Sequence, residues 1–119
     1  MAEYVPITKD HKWFIGEKKA FEYTIKNQDG TLADITNWEL QWTIRPAAES
    51  PTIFIQKKST TVGQISKSNP TQGVCQVNVN PDDYAAVTGA GTFDKALKRT
   101  DGDNDTTLAF GEAVLQASA

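Results

Sequence analysis

Apolar residues occupy every second position from Trp38 to Ile44: Trp38, Leu40, Trp42 and Ile44, with Glu39, Gln41 and Thr43 in the gaps. A helix would divide those four between opposite sides of its axis, whereas a strand gathers them on one face. The segment therefore reads as a half-buried strand, and that face makes Trp38 and Trp42 core residues. The same alternation returns at Phe21, Tyr23 and Ile25, with Glu22 and Thr24 facing out, and at Cys75, Val77 and Val79 against Gln76 and Asn78. Weaker alternation predicts strands over residues 12–15, 52–57, 92–99 and 107–116. The spacing of Phe93, Ala96 and Leu97 also fits a helix, but Asp101-Gly102 is a hairpin signal followed by another alternating run, which favours a strand.

Turn formers separate the runs: Asn27-Gln28-Asp29-Gly30, Ser68-Asn69-Pro70, Gly89-Ala90-Gly91 and Asp101-Gly102-Asp103-Asn104. Glycine supplies positive φ and proline presets φ, so these clusters reverse the chain. With 119 residues there is room for one core. The fold expected is all-β: an immunoglobulin-like antiparallel β-sandwich of about seven or eight strands, with one short helical turn near residues 81–87. That turn follows from Asn80 as N-cap, Pro81 at the first helical position, and Asp82 and Asp83 at the positive end of the dipole. Residues 12–119 form the single sandwich domain, and residues 1–11, with Pro6 and few apolar positions, form a flexible N-terminal arm.

Charge narrows the partners. The formal charge is -3, so no basic excess is left to neutralise phosphates, and nucleic acid is not an expected partner. No apolar run approaches the ~18 residues of a membrane span, so no membrane is expected either. The opening Met1-Ala2-Glu3-Tyr4 lacks the basic-then-apolar pattern of a secretory leader, which predicts a protein that stays in the cytoplasm where it is made. One cysteine, Cys75, rules out an internal disulfide, and with His11 the single histidine a thiolate zinc site lacks ligands.

Four features could carry chemistry. Asp101, Asp103 and Asp105, with Glu112 at the twelfth place, match most of a calcium-loop pattern, but Thr106 stands where the loop needs glycine. A solvated hairpin tip is the plainer reading. His11, flanked by Asp10 and Lys12, has no nucleophile at a diagnostic spacing and reads as a surface side chain. Cys75 falls on the apolar face of its strand and reads as a small core residue. Trp13 is the least constrained tryptophan and is a candidate exposed anchor. The carboxylates Glu17, Asp82, Asp83, Asp94 and Glu112 are scattered over different elements, and no glycine cluster cradles a phosphate. No catalytic, cofactor-binding or metal-binding residue is therefore assigned, no cofactor is expected, and the protein is not expected to be an enzyme.

The order of these runs resembles a family. Phe21-Glu22-Tyr23-Thr24-Ile25, then Asp34-Ile35-Thr36-Asn37-Trp38 leading through the alternating strand to Arg45, looks like the opening of immunoglobulin-like domains in tailed-phage virion proteins, such as the N-terminal domain of upper-baseplate proteins. Gly73 through Asp83 and then Gly91-Thr92-Phe93 through Asp101 is similar to that family's strand, proline-led turn, glycine-x-aromatic, strand and turn. The closing Leu108 through Leu115 is similar to its last strand. Lys95 departs from the pattern, standing where the family has an aromatic. The resemblance implies a bacteriophage virion structural protein, either a capsid cement or decoration protein or a tail or baseplate adaptor. It implies other virion proteins as partners, a homo-oligomer, and a location in the virion after assembly in the host cytoplasm. A rival reading is a carbohydrate-binding β-sandwich module in which Trp13, Trp42 and the loop at residues 101–105 hold sugar and calcium.

Overall fold

The computed structural model describes residues 7–8, 10–47, 50–102 and 106–117. Its strands are β1 (Ile7–Thr8), β2 (His11–Phe14), β3 (Lys19–Thr24), β4 (Leu40–Arg45), β5 (Ile55–Lys58), β6 (Ile65–Asn69), β7 (Val74–Val79), β8 (Gly91–Arg99) and β9 (Thr106–Gln116). Eight of them are four residues or longer, and β1 has two. They form two sheets. The larger runs β1-β9-β8-β4-β5, with β2 continuing beside β9, and the smaller runs β3-β7-β6. The all-β sandwich expected from the alternation is the fold observed. The orders β3-β7-β6 and β4-β8-β9, with β5 beyond β4, are those of strands B-E-D and C-F-G of an immunoglobulin-type sandwich with an added C′ strand.

Register explains the burial. In the smaller sheet Phe21 lies opposite Val77 and Tyr23 opposite Cys75, and all four point inward. In the larger sheet Trp42 lies opposite Leu97, and Leu97 opposite Ala109. The two inward faces meet at Trp42, whose ring stacks on Phe21 at 5.7 Å and whose indole N–H donates to the Tyr23 hydroxyl at 3.1 Å. A buried tryptophan on the central strand thus joins the sheets by packing and by a hydrogen bond. Near the start of β7, Gly73 has φ 76°, and a side chain there would collide with the Ile25 carbonyl, which the loop crosses to form an Ile25 N–H to Gly73 carbonyl bond of 2.8 Å.

The helical turn is a 3₁₀ turn, Pro81–Tyr84, shorter than the expected residues 81–87. Its start is held reciprocally: the Asp83 N–H donates to the Asn80 carbonyl at 3.0 Å and the Asp83 carboxylate accepts from the Asn80 N–H. Three features differ from the sequence reading. β6 was not foreseen, because only Ile65 of its five residues is buried and the rest is polar. The sandwich is not wholly antiparallel: β1 and β2 run parallel to β9. Within the segment expected as an arm, residues 1–6 and 9 lie outside the described residues, while Ile7–Thr8 and His11 belong to these parallel strands.

Candidate functional site

Inward-facing polar groups hold most of the molecule's chemistry. In β8 the alternation that buries Leu97 also turns Lys95 inward, where it is 1% exposed. Its ammonium lies 2.5 Å from His11 Nδ1 and 6.0 Å from the centre of the Tyr23 ring. With the lysine charged, Nδ1 is the acceptor and the imidazole proton sits on Nε2. The imidazole also packs on Phe21 at 4.5 Å and meets Trp13 edge-on at 6.5 Å. His11 is thus no surface side chain. Its ring is half-buried and ties β2 to β8 across the intervening β9. Trp13 is likewise buried, at 2% exposure, and is not an exposed anchor.

Burial also quiets the other two groups of this interior. It pushes the Tyr23 hydroxyl up to about 12, with the Trp42 hydrogen bond opposing and Cys75 adding to the rise. It pushes the Cys75 thiol up to about 12 as well, helped by Glu22 and opposed by Lys67. A thiol that stays protonated is no nucleophile, so Cys75 is the core residue its strand position implied.

A second inward lysine, Lys57 on β5, is 3% exposed and pairs with Asp83 at 2.6 Å. Asp83 also accepts the Asn80 backbone N–H at 2.6 Å. Its neighbour Tyr84 accepts from the Trp13 indole at 2.7 Å and donates to the Glu17 carbonyl at 2.6 Å, and burial raises its hydroxyl above the ordinary range. The 3₁₀ turn is therefore held from β5 by charge and from β2 by a hydrogen-bond relay. A third cluster sits at the far end of β8, where Arg99 covers the Trp38 ring at 4.3 Å and grips Asp101 through bonds of 2.8 and 3.0 Å. Asp101 further accepts the Glu39 N–H at 3.1 Å, and the guanidinium holds its carboxyl at about 2.

The candidate calcium loop does not close on its twelfth residue. Glu112 lies opposite Asp94, while the strand end beside the loop is the Arg99–Thr106 pair. A rise of about 3.3 Å per residue puts Glu112 roughly 20 Å up β9 from Thr106. Asp101 is already engaged by Arg99, and Asp103, Asn104 and Asp105 lie outside the described residues. Among the described residues, no group of three or more His, Cys, Asp or Glu is placed to hold a metal ion. Trp13 and Trp42, the two stacking platforms of the sugar-binding reading, are both interior. A shallow cleft of about 100 Å³ lined by Glu39, Gln41, Lys58, Thr60 and Thr100 is below the ~300 Å³ at which ligand clefts begin.

What faces solvent is different in kind. The outer surface of the larger sheet presents Phe110 at 44% and Phe14 at 41% exposure. Neither aromatic stood out in the sequence, although Phe110 alternates out of phase with the buried Ala109, Ala113 and Leu115. Among the described residues no helix is long and apolar enough to cross a membrane. No protein-family model matches the chain, and no curated protein matches it.

Proposed function

We propose that this protein is a bacteriophage virion structural protein, a capsid decoration or tail/baseplate adaptor subunit that acts through protein–protein contacts. The observation that carries the reading is where the family-like strings fall. Asp34 through Arg45 runs into β4, Gly73 through Asp83 is β7 and its capped turn, and Gly91 through Asp101 is β8 and its hairpin end. The family's order of strand, proline-led turn, strand and turn is therefore carried by successive elements of one sandwich.

A binding role is supported further by the disposition of side chains. His11, Lys95, Tyr23 and Cys75 are turned into the interior, while exposed aromatics stand on a broad sheet face. Immuno-gold labelling and cryo-electron microscopy of particles, prepared with and without the gene for this chain, test the proposal. Density for the sandwich at repeated positions on the head or tail is the expected result. Particles that lack the chain and assemble and infect normally without it would sink the idea.

A further inference from the structure

We infer that the outer face of the larger sheet is a self-complementary surface that docks a second copy of this chain, each strand lying antiparallel over its counterpart in a two-fold dimer. The inference rests on the reading of the protein as an assembly subunit, and specifies the surface and the occupant.

Register lays the outward side chains of β5, β4, β8 and β9 in rows perpendicular to the strands. The middle row is uncharged: Gln56, Thr43, Ala96 and Phe110 lie side by side, with Thr43 only 5% exposed beneath its neighbours and Phe110 standing out. Two residues to one side, about 7 Å away, Lys58, Gln41 and Lys98 form a row with two positive charges. Two residues to the other side, Arg45, Asp94 and Glu112 form a row of net negative charge.

Two such faces meet about a two-fold axis that lies in the interface along the middle row. That axis keeps each strand over its counterpart and exchanges the two outer rows. Phe110 then meets Phe110 and Ala96 meets Ala96, while Lys98 on β8 lies over Asp94 on β8 of the second copy, twice by symmetry. Glu112 falls over Thr107, and Arg45 over Gln41, so no like charges are directly opposed. Isologous pairing of this kind requires one patch that complements itself, which these rows do. Area is adequate as well. Five strands about 4.8 Å apart, the longest of eleven residues, make a face on the order of 700 Å², close to the ~800 Å² per partner of an ordinary stable interface. The exposed ring of Phe110 lies on the axis at the β9 side of the sheet, where it packs on its own symmetry mate as a large apolar anchor.

Sedimentation velocity of the full chain over a concentration series, with thermal melts to confirm folding of each variant, tests the surface. The wild-type protein is expected to dimerise. Phe110→Lys should weaken the dimer by on the order of tenfold or more, as should Lys98→Glu and Asp94→Lys singly, while the Lys98→Glu/Asp94→Lys double variant should recover much of the loss. Variants that melt as wild type yet leave the mass unchanged overturn this face, and so does a double variant no tighter than the singles. An oligomer that persists through all of them, or a monomer that still binds phage particles, overturns the face and leaves the assembly reading intact. A monomer that binds no particle overturns both.

Discussion

Removing the negative partner of the Lys57–Asp83 pair should cost far more than removing the positive one. The ammonium of Lys57 is enclosed, its side chain 4% exposed, whereas the Asp83 carboxylate is 23% exposed and retains its bond to the Asn80 N–H. Asp83→Asn leaves a cation in the interior opposite a neutral amide, a defect of about 3–5 kcal/mol when uncompensated. Lys57→Met leaves only a capped, partly solvated carboxylate and fills the channel with an alkyl chain of similar length, for about 1 kcal/mol. With about 2.1 cal/mol/K of unfolding entropy per residue, the 119-residue chain should lose roughly 12 °C or more of Tm in the first case and about 4 °C in the second. The double variant should lie near Lys57→Met, since neutralising the aspartate no longer strands a charge. Urea unfolding followed by tryptophan emission gives all four stabilities. Equal losses from the two single variants, or strict additivity in the double, would refute the reasoning that buried charge rather than contact is what the pair manages.

Further expectations follow from the other clusters. Because Arg99 holds the Asp101 carboxyl below its unfolded value, its contribution is whole above about pH 4 and is withdrawn as the pH falls toward 2; solvent screening limits it to about 1 kcal/mol. Asp101→Asn should thus be less stable at neutral pH, with the gap to wild type closing across that window in acid unfolding curves. Cys75, fully buried with its thiol pushed up to about 12, should resist aromatic disulfide reagents at pH 8, and labelling should accelerate only when urea opens the fold. Tyr84→Phe removes the acceptor of the buried Trp13 indole and the donor to Glu17, and should lower the urea-derived stability by about 1–3 kcal/mol without changing the secondary structure seen by circular dichroism.

The antiparallel framework could be read from the chain because its signals are local. Trp38 to Ile44, Phe21 to Ile25 and Cys75 to Val79 each carry their own alternation, and each becomes an inward face at the expected phase. What could not be read was set by partners remote in sequence. His11 looked solvated beside Asp10 and Lys12, but its neighbour Lys95 lies 84 residues away. The signal for Lys95 was present, since Phe93-Lys95-Leu97 puts an amine at an inward position, and Ile53-Ile55-Lys57 does the same for Lys57. Both violate the usual exclusion of lysine from cores, so a pattern read on hydropathy passes over them. β6 escaped because an edge strand with one buried residue has almost no alternation to show. Glu112 seemed to complete a calcium loop only while the spacing was counted along the chain, since an extended strand carries it away from the tip.

The pairing of β1 and β2 with β9 dictates an order of events during synthesis. The earliest strands have no sheet to join until β9, over a hundred residues later, has left the ribosome, since Ile7 pairs with Ala109 and His11 with Ala113. A nascent chain halted before β9 would hold β8 with one flank bare and leave Trp13 without its place beside Leu115. Closure therefore waits on β9 and proceeds through long-range contacts, which slows folding and leaves the bare flank of β8 in need of protection while it waits.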